Sequence, residues 1–189
     1  MPGANPAGRA GTLLRVLASL VASLALAAVP ASAPATAAAS PCAGAYEQTD
    51  PVVRRHAVQC LVNNVRAAHG LRRLRASRTL TRAAGGHARD MVRRDFFEHT
   101  SPGGSTPSDR ALRAGYRGLY VGETIAFAVG EDATPVGTVR GWMASAAHRP
   151  VILDRDMRHI GVGIADGAPA DGGSTAEGAT VVLDVGGPA

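Results

Sequence analysis

Apolar residues recur at intervals of three and four in four stretches of the chain, a pattern that predicts amphipathic helices. Each stretch follows a side chain that can cap a helix, and three of the four have proline at the first helical position. The predicted helices run from Pro51 to just before Gly70, from after Ser77 to about Phe96, from Pro107 to just before Gly115, and from Pro135 to 145–147.

Three other stretches are apolar in short runs that predict strands: "LYVGETIAFAV" (119–129), "HIGVGIA" (159–165) and "ATVVLDVG" (179–186). The segment 166–178 is rich in Gly, Ala and Asp and predicts a mobile loop between the last two strands. This element order predicts an α+β fold, a three-layer α–β–α sandwich around a small, mainly antiparallel sheet.

The N-terminus has the pattern of a secretory signal peptide. Arg9 and Arg15 precede an apolar run, Val16 to Val29, and small residues follow that offer Ala-x-Ala cleavage sites. The run of about 14 residues is shorter than the roughly 20 that cross a bilayer, which favours cleavage over the alternative of an uncleaved anchor. We therefore expect a signal peptide over 1–39, an N-terminal extension over 40–55, and a secreted domain over 56–189 without a transmembrane span.

Cys42 and Cys60 are the two cysteines of the chain. In a secreted protein an even number of cysteines favours disulfide bonding. We expect one disulfide between Cys42 and Cys60, and two buried free thiols are the alternative.

The basic residues, all of them arginine, are unevenly distributed. Eleven arginines against one acid, Asp90, lie between Arg54 and Arg94. This segment is either a basic face for an anionic wall polymer, lipid headgroups or nucleic acid, or a solvated helix surface with biased codon usage, which we favour. No aromatic residues alternate with these arginines, so the sequence has no specific nucleic-acid motif.

Complete catalytic motifs are absent from the sequence, and three dispersed polar residues stand out. His99 follows the second helix, Glu123 interrupts an apolar strand, and His148 ends the helix that carries Trp142. A buried acid needs a partner, and two imidazoles with a carboxylate can hold a transition metal or transfer protons. Their spacing does not bring them together by itself, and three separate polar residues at loop edges are the alternative. His87, on the apolar stripe of the second helix, is interpreted as a packing residue.

Several segments together resemble the CAP superfamily (cysteine-rich secretory proteins, antigen 5 and pathogenesis-related 1), also called the SCP domain, in its bacterial secreted form. They occur in the family's order over roughly residues 60–186 and are "CLVNNVRAAHGLRRL", "LTRAAGGHARDMVRRDFFEHTSPGGSTPSDRALRAGY", "VGETIA", "WMASAAHRPVIL" and "IGVGIA". The resemblance implies an α–β–α sandwich in which His99, Glu123 and His148 face one cleft. The position of a second cleft glutamate in many relatives is Ser145 here, which weakens a mechanism with two carboxylates.

The resemblance also implies functions. We expect a monomeric binding or interaction module of the cell envelope or medium, with a lipid or cell-wall ligand, rather than a classical enzyme. In several family members the two histidines bind a divalent metal, so His99 and His148 are the expected ligands, with Glu123 nearby and zinc the first candidate. One alternative is a metal-dependent hydrolase in which Glu123 activates water, acting on peptide, phosphodiester or wall substrates. Another is a hydrogen-bonded clasp between loop and helix.

Overall fold

A computed structural model describes residues 41–169 and 175–188. The expected signal peptide therefore lies outside the described residues. The helices and strands are α1 (Pro51–Ala68), β1 (Arg75–Ala76), α2 (Arg78–Arg94), α3 (Pro107–Arg113), β2 (Val121–Ala128), a 3₁₀ turn (Gly130–Ala133), α4 (Pro135–Ala144), α5 (Arg149–Leu153), β3 (His159–Ala168) and β4 (Thr175–Gly186).

The four predicted helices begin at the expected capping residues. The Asp50 carboxylate accepts hydrogen bonds from two backbone N–H groups of the first turn of α1. Ser77 and Thr134 each accept one from the N–H group three residues further on. Thr106 and Asp109 form a reciprocal capping box at the start of α3. The caps are local in sequence, which explains why the helix starts were predictable.

The disulfide between Cys42 and Cys60 is present, which confirms the predicted pairing. It connects the segment before α1 to the middle of that helix. Because α1 begins at Pro51, the helix crosses the expected boundary between the N-terminal extension and the domain at 55–56.

The sheet has the strand order β1-β3-β4-β2, so β1 and β2 form its two edges. β1 is parallel to β3, and the two other pairings are antiparallel. The two-residue strand β1 and the short helix α5 were not predicted, because both are too brief to show a periodic pattern.

The prediction of a loop over all of 166–178 is wrong, because β3 extends to Ala168 and β4 begins at Thr175. The register shifts between Asp166 and Ala168, where Gly167 has φ 95°. The Gly167 carbonyl accepts a hydrogen bond from the Thr180 hydroxyl. Glycine at this position bends the strand pair without ending it.

Helices cover both faces of the sheet, as the α–β–α prediction requires. Val181, Leu183 and Val185 of β4 pack with residues of α1 and α4, whereas Val182 packs with α2. At Gly163 of β3, a Cβ atom would lie 2.2 Å from the α2 backbone, so the helix approaches the sheet closely there. None of the helices in the described ranges is long and apolar enough to cross a membrane.

Candidate functional site

Strand β2 places Glu123 on the sheet face that α2 covers, and the Glu123 side chain is only 1% exposed. Ile125, two residues later, lies on the same face and packs against α2. An ionised carboxylate is costly to bury without partners that replace its hydration. Glu123 therefore acts as the centre around which the other charged groups of the site are arranged.

Arg110 of α3 is the positively charged partner of Glu123. Its guanidinium donates a hydrogen bond of 2.6 Å to Glu123 Oε2, and both side chains are nearly buried. The same guanidinium donates to the backbone carbonyls of His99 and Ser105. Arg110 thus neutralises Glu123 and also fixes the loop that carries His99.

His99 is bonded to the other oxygen of the same carboxylate. Its Nδ1 lies 2.8 Å from Glu123 Oε1. Because a carboxylate only accepts hydrogen bonds, Nδ1 carries the proton, and the neutral ring keeps its lone pair on Nε2. The hydrogen bond to Glu123 raises the pKa of His99, although burial opposes this effect. The side chain is 51% exposed, so the ring faces solvent while it is held from behind.

Asp184 of β4 lies directly across the strand pair from Glu123 and is completely buried. Its carboxyl group is close enough to the Glu123 carboxylate to share a hydrogen bond when one of the two is protonated, and no other group among the described residues bonds to it. Burial raises the pKa of Asp184 well above its ordinary value, and the charge of Glu123 raises it further. A protonated Asp184 can donate to Glu123, so the two carboxyl groups together carry one negative charge.

His87 of α2 closes the buried side of this cluster. Its Nε2 lies 2.9 Å from the backbone carbonyl of Glu98 and 4.0 Å from Glu123 Oε1. The side chain is buried, and this burial lowers the pKa of His87. A neutral His87 that donates to Glu98 fits the packing role that its place on the helix predicted.

His148 lies immediately before α5, and its backbone N–H donates a hydrogen bond to the Ser145 hydroxyl. Its pKa is lowered by burial and then by the positive charge of His99, so the two histidines are within electrostatic reach of each other. Ser145 thus bonds to the backbone of His148. It occupies the position at which this sequence lacks the second cleft glutamate.

A cavity of about 460 Å³ adjoins this cluster at the β2 edge of the sheet. Its walls are largely apolar, and its polar lining side chains are Asp132, Thr138, Ser145 and His148. The lining side chains include Phe97, Ile125, Phe127, Trp142, Ser145 and His148. Trp142 is buried and donates its indole N–H to the carbonyl of Ile125.

The sequence profile of the cysteine-rich secretory protein family, CAP, matches residues 60–182. The chain belongs to the CAP family. Two curated relatives come from Bacillus subtilis strain 168. The uncharacterized protein YkwD is 36% identical over 54% of this chain and 39% of its own length. The uncharacterized membrane protein YlbC is 32% identical over 55% of this chain and 29% of its own length. The chain therefore spans well under half of either relative.

Solved structures share the CAP fold. An extracellular protein of Bacillus anthracis that contains an SCP domain has a TM-score of 0.58 at 27% identity, covering 69% of this chain and 39% of that one. An outer surface protein of Borrelia burgdorferi has a TM-score of 0.59 at 19% identity, covering 70% and 90%. A cysteine-rich secretory protein of Staphylococcus aureus has a TM-score of 0.52 at 14% identity, covering 73% and 40%. The last two likenesses show the fold alone.

The CAP domain brings His99 and Glu123 into direct contact and places His148 nearby, at the adjoining cavity. The functional roles of these residues remain predictions. Sequence reasoning missed Arg110 and Asp184. Glu123 in an apolar strand indicated that a cation was needed, but several arginines could have supplied it. The pairing of Glu123 with Asp184 depends on strand register, which no local motif in the sequence specifies.

A divalent metal fits this site only in part. No group of three or more His, Cys, Asp or Glu side chains within 41–169 and 175–188 is arranged to hold a metal ion. Both oxygens of Glu123 are bonded, to His99 and to Arg110. Nε2 of His99 and the His148 ring therefore remain as the potential ligands. The Glu123–His99 hydrogen bond matches the carboxylate contact that commonly orients a metal-binding histidine.

Proposed function

We propose that this CAP-domain protein is a secreted binding module whose cleft takes an amphipathic ligand, with a polar end at the histidines and an apolar body in the adjoining cavity. The similar structure from B. anthracis is described as an extracellular protein, which supports secretion. The Cys42–Cys60 disulfide also supports it, because disulfides persist in oxidising compartments.

The observation that carries this proposal is the position of His148 between two unlike surfaces. On one side lies the charged cluster of His99, Glu123 and Arg110, and on the other lies the cavity with Phe97, Phe127 and Trp142 in its wall. Cavities that combine apolar walls with a few fixed polar groups are typical ligand sites. A ligand with an apolar chain and a polar or anionic end matches this arrangement.

The position of Glu123 supports binding over hydrolysis. A carboxylate that activates water must reach the cleft, whereas the Glu123 side chain is 1% exposed and both of its oxygens accept hydrogen bonds. Its contacts suit it to orienting His99. The nearby Asp184 is completely buried beside Glu123, and its raised pKa disfavours a second ionised carboxylate at this site.

We also propose that the two histidines can take a zinc ion, with Nε2 of His99 and the ring of His148 as protein ligands. A bound zinc ion would act as a Lewis acid that attracts a carboxylate or phosphate end of the ligand. The role of Glu123 is then to hold the Nδ1 proton of His99 and keep Nε2 available. Titration of the protein with zinc alone, followed by calorimetry, tests this site. We expect binding that the His99→Ala/His148→Ala double variant abolishes, and unchanged binding in that variant would exclude the site.

Trp142, the single tryptophan of the chain, lines the cavity and therefore reports on its occupancy. We would titrate the protein with a long-chain fatty acid as the probe and follow tryptophan fluorescence. The partly exposed Phe127 forms part of the wall, and a ligand would bury about half of a side chain whose full burial is worth about 1.5–3 kcal/mol. Phe127→Ala should therefore weaken binding by about three- to tenfold.

The matched control is Leu119→Ala, which removes an exposed apolar side chain that does not line the cavity. We expect it to change the Kd by less than about twofold, in line with a surface substitution away from the site. Equal weakening by both variants, or no saturable fluorescence change in the native protein, would refute an amphipathic ligand.

A further inference from the structure

A basic cavity of about 470 Å³ lies beside β1, at the sheet edge opposite the cleft. Arg55 of α1 contributes to it from one side of the sheet, and three arginines of α2 contribute from the other. Its lining also includes His56 and the hydroxyls of Ser77 and Thr81, and it contains no carboxylate. The arginines of this first cavity are Arg55, Arg78, Arg82 and Arg89.

A second basic cavity, of about 610 Å³, borders the same short strand. Arg75 lines this cavity and the next residue, Ala76, lines the first, so the two cavities meet at β1. No carboxylate lines the second cavity either. Its basic residues are Arg72, Arg73, Arg75, Arg158 and His159. We call the two cavities together the β1 edge.

The arginines of the β1 edge differ from many others in the protein by their lack of acidic partners. Among the described residues, none of these eight arginines forms an ion pair. By contrast, five arginines elsewhere pair with carboxylates: Arg54, Arg93, Arg94, Arg110 and Arg140. Two edge arginines, Arg82 and Arg158, donate to backbone carbonyls, which positions a guanidinium without neutralising it. The β1 edge therefore concentrates guanidinium groups that the protein does not hold in ion pairs.

We propose that the β1 edge is a second binding site, which takes a linear polyol-phosphate polymer of the cell-wall type. A guanidinium group can donate two parallel hydrogen bonds to the oxygens of one phosphate. Arginine therefore binds a phosphate group more specifically than it binds small mobile anions. Two basic cavities that meet at one short edge strand suit a ligand that repeats its phosphates along a chain. This inference does not depend on what the cleft binds.

The absence of aromatic residues favours a polyol phosphate over a single-stranded nucleic acid. Proteins that bind single strands commonly stack bases on aromatic rings. No Phe, Tyr or Trp lines either cavity of the β1 edge. A polyol phosphate has no bases to stack, so the lack of aromatic rings does not weaken its binding, which depends on the phosphates.

The test compares two double variants that each remove two positive charges. Arg73→Gln/Arg78→Gln changes one exposed arginine in each cavity. Arg140→Gln/Arg149→Gln changes two exposed arginines that line neither cavity. Binding of a labelled poly(glycerol phosphate) is measured by fluorescence anisotropy at several salt concentrations, with unlabelled duplex DNA of equal phosphate content as competitor.

We expect the edge variant to bind the polymer about tenfold more weakly and to lower the slope of log Kd against log salt by about two, roughly one per arginine. The control variant should stay within about twofold of the native protein. Equal weakening by both variants would mean that overall charge, and not the β1 edge, binds the polymer. Tighter binding of DNA than of the polymer would assign the edge to nucleic acid, and no binding at low salt would overturn the proposal.

Discussion

Arginine has opposite roles at the two edges of this sheet. Near β2, the guanidinium of Arg110 is almost buried and bonded to the carboxylate of Glu123 and to loop carbonyls. At the β1 edge, eight arginines line two cavities that contain no carboxylate. The β2 side balances its charges within the protein, whereas the β1 edge leaves its charges for an external partner.

This difference shows that the role of an arginine in this protein depends on its burial and on whether a carboxylate lies next to it. Buried charges near β2 had to be paired because desolvation is costly. That pairing fixes His99 in one orientation, as a binding site requires. The exposed arginines of the β1 edge keep their hydration, so they carry no such cost and gain most when a polyanion arrives.

Removal of Arg110 should have the largest effect, because it leaves the buried Glu123 carboxylate without its cation. We expect Arg110→Ala to lower the free energy of unfolding by about 3–5 kcal/mol, measured by urea denaturation. Arg140→Ala removes an arginine from an exposed ion pair with Asp132 and should cost less than about 1 kcal/mol.

A second substitution sharpens this test. Glu123→Gln added to Arg110→Ala removes the charge that was left unpaired, so it should recover part of the lost stability. If Arg110→Ala and Arg140→Ala cost the same, the contrast between a buried balanced site and an open edge would fail.

Substitution of Asp184 should have a smaller effect that depends on pH. We expect Asp184 to stay protonated in the folded state above pH 4, because burial raises its pKa, whereas in the unfolded chain it ionises near pH 4. Native stability is therefore lost as pH rises from about 4 toward the folded pKa. Asparagine does not ionise, so Asp184→Asn does not lose stability in this way. The difference in the free energy of unfolding, variant minus native protein, should increase by about 1 kcal/mol or more between pH 4 and pH 8, which corresponds to about 2–4 °C in Tm.

The control for this prediction is Asp132→Asn, at an exposed position. Thermal unfolding at pH 4, 6 and 8 compares the three proteins. A relative stability of Asp184→Asn that stays flat or falls with rising pH would show that Asp184 is ionised in the folded state.

Local signals in the sequence predicted much of the fold and part of the site. The starts of four helices could be predicted from their capping residues, because a capping side chain bonds to backbone groups within a few residues of itself. These residues are Asp50, Ser77, Thr106 and Thr134. Glu123 was predicted as a site residue for two reasons. The chain resembles the CAP family, and an acid in an apolar strand is costly to bury without a partner. Arg110 and Asp184 were missed because their roles depend on contacts between elements distant in the chain, set by packing and strand register.

Neutralising the β1 edge should have the smallest effect on stability, and of opposite sign to Arg110→Ala. Like charges at this edge repel one another, so Arg73→Gln/Arg78→Gln should raise the free energy of unfolding by about 0.5 kcal/mol at low ionic strength. The gain should vanish near 1 M salt, where the Debye length is about 3 Å. Urea denaturation in both buffers measures it, and a loss of stability at low salt would mean that these arginines have partners within the protein.

The hydrogen bond from His99 to Glu123 orients the histidine of the cleft, and NMR titration of the His99 ring nitrogens measures this contact. In the native protein we expect the neutral ring to carry its proton on Nδ1 and to titrate above the ordinary pKa of about 6.5. In Glu123→Gln the pKa of His99 should fall, because the negative charge behind the ring is gone. A neutral ring protonated on Nε2, or a pKa that is the same in both proteins, would show that Glu123 does not hold the His99 ring.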